Sequence, residues 1–233
     1  ARTDIEHALA LDLRGVVEQP ARERLAARPR KRPVRPLGAD LLRGRGEPFA
    51  LAQRGDALHR AHQAGLKIVL CTGRLYPETR PILDAIGLDL DAAITVGGAV
   101  VSDVASGRTI ERTTIPRALA RRVGSFFQSH GHTLLWMIDG DEAGYDGHVI
   151  AGPRRHVAVN VWLSRAPVAV RPLDTLPDNG AEPVRITVVD ESDPLTALSE
   201  RFREEFGDSV PHNVIRVHSY NFSVIETFGP RVS

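Results

Sequence analysis

The sequence predicts an α/β protein: a parallel-sheet core carrying an inserted α+β module. Two stretches lead to that expectation. Between residues 50 and 96, apolar segments with helical and strand spacing alternate through short joints, the signature of a parallel sheet. After about residue 116 the pattern changes to several strands with two helices among them, which suits an antiparallel sheet with helices on one face. The boundaries expected are a core over 1–115, an inserted module over 116–226 and a return segment over 227–233.

Taken in order, Ala8–Leu13 reads as a short buried strand ending near Asp12. Residues 18–49 hold five prolines, three glycines and a basic block, so most of that stretch is expected to be an exposed, irregular insertion. Leu51, Leu58 and Ala61 space a helix over 50–64, with Gly65 as its stop. Leu66–Cys71, apolar apart from Lys67, is read as a buried strand in which Cys71 is inert packing. A helix from about Pro77 places Ile82, Leu83 and Ile86 inward and ends at Gly87, and Ala92–Val96 forms the next strand. Ser106-Gly107 turns a small hairpin between Val100 and Ile110.

Further on, Leu119, Val123, Phe126 and Phe127 mark a helix over 116–129, followed by strands near 133–138 and 147–150. Alternation of Val157, Val159, Val161 and Leu163, with Trp162 opposite, reads as a strand. A strand at 184–189 leads to Asp193-Pro194, a helix start, and Leu195, Leu198, Phe202 and Phe206 stripe that helix up to Gly207. Strands near 214–218 and 221–227 follow.

Composition narrows the function classes. The single cysteine excludes an intramolecular disulfide framework and a zinc ribbon. No apolar run reaches the ~18–20 residues of a membrane span, so a cytoplasmic protein without membrane partners is expected. Residues 20–46 carry nine positive residues against Glu23 and Asp40, yet no aromatic interleaves them. Base stacking is therefore not expected, and the segment reads as a solvated insertion in preference to a nucleic-acid arm. The Asp139–Asp146 stretch lacks carboxylates at two positions that a calcium loop needs, and reads as a charged turn.

The chemistry gathers at three strand ends. Asp12 closes the first strand, Thr72-Gly73-Arg74 the second and Gly97-Gly98-Ala99 the third. In open parallel sheets ligands bind beyond the carboxyl ends of the strands. A carboxylate, a hydroxyl beside a glycine and exposed backbone amides together suit a phosphoryl group, as nucleophile and donors to its oxygens.

Leu9–Val17, Val69–Arg74 and Ile94–Val100 together resemble the haloacid-dehalogenase (HAD) superfamily. With the α+β insertion and the run His218–Phe228, the chain is similar to its Cof-type phosphatases with a large cap. The resemblance implies a HAD-like, Rossmann-like core, incomplete at its C-terminal end, and a magnesium-dependent hydrolase of small phosphorylated metabolites. Asp12 is then the nucleophile that forms an aspartyl-phosphate and also a magnesium ligand. Thr72 and Gly73 bind the phosphoryl oxygens.

Departures from the family pattern accompany it. Arg14 holds the acid/base position, and a guanidinium does not shuttle protons at physiological pH. No lysine follows Lys67 to match the family's post-cap lysine, and its acidic magnesium loop is not expected within these residues. Impaired catalysis is expected, with a homodimer or partner chain completing the core. One alternative is a phosphate-ligand-binding module without turnover, in which Arg14 clamps the phosphate. The other is nucleic-acid binding through residues 20–46.

Overall fold

The computed structural model describes residues 48–232, with side chains from residue 56. The strand expected at 8–13, Asp12, Arg14 and the basic block lie outside the described residues.

Helix α1 (Pro48–Gln63) opens on a proline, whose fixed φ suits a first helical turn. It stops at Gly65, which adopts a φ of 83°. His59 Nε2 donates to the Ile86 carbonyl at 2.9 Å, tying α1 to the end of α2 (Tyr76–Ile86). Helix α2 joins two parallel strands, β1 (Leu70–Cys71) and β2 (Ala92–Thr95). The hairpin expected around Ser106-Gly107 is β3 (Val100–Asp103) and β4 (Thr109–Arg112), and the sheet order is β1-β2-β3-β4.

The strand expected over 66–71 shrinks to two residues, and Cys71 is exposed where burial was expected. Leu66 and Val69 are 60% and 52% exposed. Among the described residues β1 pairs with β2 alone, and Leu70 packs partly buried against Leu83, Leu90 and Ala93.

The second sheet has six strands: β5 (Leu134–Met137), β6 (Gly147–Ile150), β7 (Val170–Leu173), β8 (Arg185–Glu191), β9 (His212–Val217) and β10 (Phe222–Thr227). Their order is β7-β6-β5-β8-β10-β9, antiparallel except for β6 beside β7. A parallel pair needs a crossover connection, and this explains a misread segment. Residues 157–163, expected as a strand, lie within helix α5 (Val157–Arg165) between those two strands. His156 caps it by accepting the Ala158 N–H, and Val159, Trp162 and Leu163 pack inward at helical spacing. Period-two alternation of valines concealed that stripe. The Asp139–Asp146 turn contains a short helix, α4 (Gly140–Ala143), N-capped by Asp139.

Strand β5 divides its side chains between two cores. Leu134, Trp136 and Ile138 face helices α3 (Arg117–Ser129) and α6 (Ser192–Phe206). There Phe127 stacks on Phe202 at 5.2 Å between centroids, with Phe126 edge-on to both. Leu135 and Met137 face the other way, onto Leu75, Val96, Val100 and Phe228, so the six-stranded sheet packs against the loops of the four-stranded one. Among the described residues no helix is long and apolar enough to cross a membrane.

His132 is 3% exposed and sits 3.6 Å from Asp190, which also pairs with Arg154. Burial lowers the imidazole below its ordinary value, with Arg154 and His130 adding and Asp190 opposing. The unfolded chain therefore takes up this proton first as pH falls. Stability from the site is full above about pH 6.5 and is lost as pH drops through the lowered folded value. Denaturant midpoints should fall between pH 7 and 5, and less steeply in His132→Gln. Phe202→Ala should cost about 3–5 kcal/mol in urea unfolding, because its ring is fully buried in the aromatic cluster.

Candidate active site

Parallel pairing of β1 and β2 brings their carboxyl ends side by side. Three backbone bonds stitch the loops that follow: Thr72 N–H to the Ile94 carbonyl at 2.9 Å, Val96 N–H to that of Arg74 at 2.9 Å, and Gly97 N–H to that of Thr72 at 3.1 Å. The second loop winds through positive φ at Val96 (54°), Gly97 (65°) and Gly98 (100°). For a β-branched residue this costs on the order of 1–3 kcal/mol, so Val96 is held there by its surroundings. Gly97 also lacks room for a side chain, since a Cβ there would stand 3.0 Å from the Phe228 ring.

Of the residues expected to bind phosphate, Thr72 and Gly73 sit in this stitched corner, and Gly73 has open space around it. The Arg74 N–H donates to Thr72 Oγ1 at 3.2 Å. With its oxygen so engaged, the threonine hydroxyl keeps its own hydrogen for an acceptor beyond the loop. Asp12 and Arg14 lie outside the described residues.

Sequence reasoning missed two residues at this corner. Arg185, in β8, donates through Nη1 to the Gly73 carbonyl at 2.5 Å and to Glu226 Oε1 of β10 at 2.8 Å. Both are nine-tenths buried. The signal was partial: each is a charged residue beside buried apolar neighbours in its strand, where charges are rarely buried unless paired.

Beside the corner, a cleft of about 320 Å³ lies between the start of α2, the β3–β4 hairpin and the β5–β6 connection. Asp139 in its wall pairs with Arg112 at 3.1 Å and accepts the Thr109 hydroxyl at 3.0 Å. Burial raises the Asp146 carboxyl above its ordinary value, and Glu78 and Asp139 push it further, against the Ala169 N–H that it accepts. Glu78 is held by Trp162 Nε1 at 2.8 Å and by the Leu75 N–H at 3.1 Å. Among the described residues no group of three His, Cys, Asp or Glu could hold a metal ion. These residues alone therefore do not furnish the magnesium site that the resemblance implies.

A parallel strand pair ending in a hydroxyl and a glycine turn, with a second sheet packed against its loops, places the chain in the α/β class. The family model for haloacid dehalogenase-like hydrolases matches residues 48–228, and the chain belongs to that family. Among solved structures it is similar to a haloacid dehalogenase-like hydrolase from Bacteroides thetaiotaomicron, at 14% identity and a TM-score of 0.57 over 78% of this chain and 65% of that one. It is similar to a B. subtilis protein of the same description at 16% identity and a TM-score of 0.56, over 76% of this chain and 66% of that one. A HAD phosphatase from Bacteroides thetaiotaomicron aligns at 19% identity and a TM-score of 0.52, over 74% of this chain and 57% of that one. The chain thus spans less than two thirds of these proteins, and at such identity the likeness is one of fold. No curated protein matches it in sequence.

Gly97→Ala should destabilise the chain by about 1–2 kcal/mol, from its positive φ and the crowding by Phe228. Urea unfolding of the two proteins measures it.

Proposed function

We propose that the chain binds the phosphoryl group of a small phosphorylated metabolite at the Thr72–Gly73 corner, as a phosphatase-type member of its family. The observation that supports this best is the Thr72 hydroxyl, whose oxygen accepts the Arg74 N–H while its hydrogen stays available beside the exposed Gly73. Such a donor stabilises charge on a transferring phosphoryl oxygen when it is already oriented before the reaction.

In this reading Asp12 attacks phosphorus, the alkoxide or hydroxyl leaving group departs, and water then cleaves the aspartyl-phosphate to regenerate the carboxylate. Magnesium would neutralise phosphate charge when bound, with Asp12 among its ligands. The Cof-type assignment and a cytoplasmic setting belong to the same reading. So does completion of the core by a second copy or partner at the β1 edge, where Leu66 and Val69 are exposed. Arg14, at the position where the family pattern has its acid/base aspartate, favours a second reading: phosphate is held and not turned over.

Phosphate release from p-nitrophenyl phosphate, with and without magnesium, tests the first reading. Inorganic phosphate binding by calorimetry tests the corner itself. Thr72→Val should weaken phosphate binding by about ten- to a hundredfold, the effect of one hydrogen bond to a charged group. Asp12→Asn should abolish release and leave binding largely intact. Binding without release in the unaltered chain selects the second reading, and neither binding nor release refutes both.

A further inference from the structure

We infer that Arg185 is a positioning residue for the phosphate corner, acting through a single peptide plane on the Thr72 hydroxyl. The inference rests on the functional reading above and adds to it the residue that orients its central donor.

Ile186 and Val188 of β8 belong to the core beneath α3 and α6, so Arg185 and Thr187 project from the opposite face, toward the loops after β1 and β2. Glu226 lies directly across from Thr187 in the register of β8 and β10, which makes it a diagonal neighbour of Arg185. The pair is formed across that diagonal, and one nitrogen, Nη1, reaches both the Glu226 carboxylate and the Gly73 carbonyl. Both hydrogens of that nitrogen are thereby committed.

The Gly73 carbonyl and the Arg74 N–H belong to the same peptide unit. In a trans peptide they point to opposite sides of a rigid plane. Arg185 grips one side, and the other side donates to Thr72 Oγ1 at 3.2 Å. Fixing the carbonyl therefore fixes the N–H, and the N–H fixes the threonine oxygen. Polarisation runs the same way, because a guanidinium on the carbonyl strengthens the N–H as a donor.

Stability does not account for this arrangement. Arg185 and Glu226 are 6% and 8% exposed, and a buried ion pair contributes little to stability once its desolvation is counted. The Nε of the same guanidinium is buried without a hydrogen-bond partner among the described residues, a further cost that packing alone would have removed. What the pair supplies is orientation, from strands β8 and β10 that are held in register by their own ladder.

The test uses the full chain and the variants Arg185→Met, which keeps the bulk without the donors, and Arg185→Lys, which keeps the charge. Two readouts are taken: inorganic phosphate affinity by calorimetry, and hydrogen exchange at the Arg74 amide. Arg185→Met should speed Arg74 exchange and weaken phosphate binding by about tenfold each, while amides in α3 and α6 keep their protection. Arg185→Lys should recover part of both. Combining Arg185→Met with Thr72→Val should weaken binding no more than Thr72→Val alone, since both act through one hydroxyl. Unchanged Arg74 exchange in Arg185→Met, or additive losses in the double variant, would overturn the inference. If the unaltered chain binds no phosphate, the functional reading fails separately, and faster Arg74 exchange then still supports the anchoring of the loop by Arg185.

Discussion

The structure turns on the seam where the six-stranded sheet meets the loops that end β1 and β2. Besides the apolar packing, that seam holds two points of close approach. At Gly97 the backbone comes within a side chain's thickness of the Phe228 ring, and at Gly73 a carbonyl receives the Arg185 guanidinium. Neither contact is local in sequence: Arg185 lies 112 residues from the glycine it holds. The corner is therefore a product of tertiary packing, and its geometry depends on the stability of a sheet to which it does not belong. Val96, held at positive φ between the two, is where the loop pays in backbone strain for that fit.

That dependence explains why β5 is apolar on both faces. A strand with one solvated face alternates polar and apolar residues, whereas Leu134–Met137 is buried throughout. Its even positions complete the aromatic layer under α3 and α6, which stabilises the sheet. Its odd positions press on Val96 and its neighbours, which transmits that rigidity to the loops. A truncated side chain at Phe202 and one at Met137 thus differ in kind: the first loosens the sheet, the second its grip on the site.

Much of this was legible in the residues. Gly87 ends α2 in the left-handed conformation, and Leu195, Leu198, Phe202 and Phe206 form the buried stripe of α6, as spacing alone required. Thr72-Gly73 stood out because a hydroxyl and a glycine end an apolar run, and the structure places both where β1 and β2 end side by side. The misreadings have physical causes. Valines in α5 alternate with period two and also satisfy a helical stripe, and only the parallel pairing of β6 with β7 decides between them. Cys71 follows an apolar run, yet exposure depends on which strands lie alongside, a property no local pattern contains. Arg185 was missed because its partners, Glu226 and Gly73, are assembled by register and packing.

Arg185 donates to the Gly73 carbonyl, but its pairing with Glu226 offsets its charge, so less of its field is left for a dianion. The first turn of α2, which follows directly, is no better placed, because Glu78 turns back onto the Leu75 N–H and occupies that donor. The nearby carboxylates Asp139 and Asp146 add negative potential from the adjoining cleft. Among the described residues, then, the corner contributes direction more than charge: a hydroxyl and exposed glycine backbone, held in place from behind. In the proposed reading Arg74, in the corner's own loop, is one source of neutralising charge, and two further candidates are Arg14 and the magnesium that the family resemblance implies. They imply opposite outcomes, because a guanidinium at that position holds a phosphate without protonating a leaving group, while a metal ion serves turnover as well as binding.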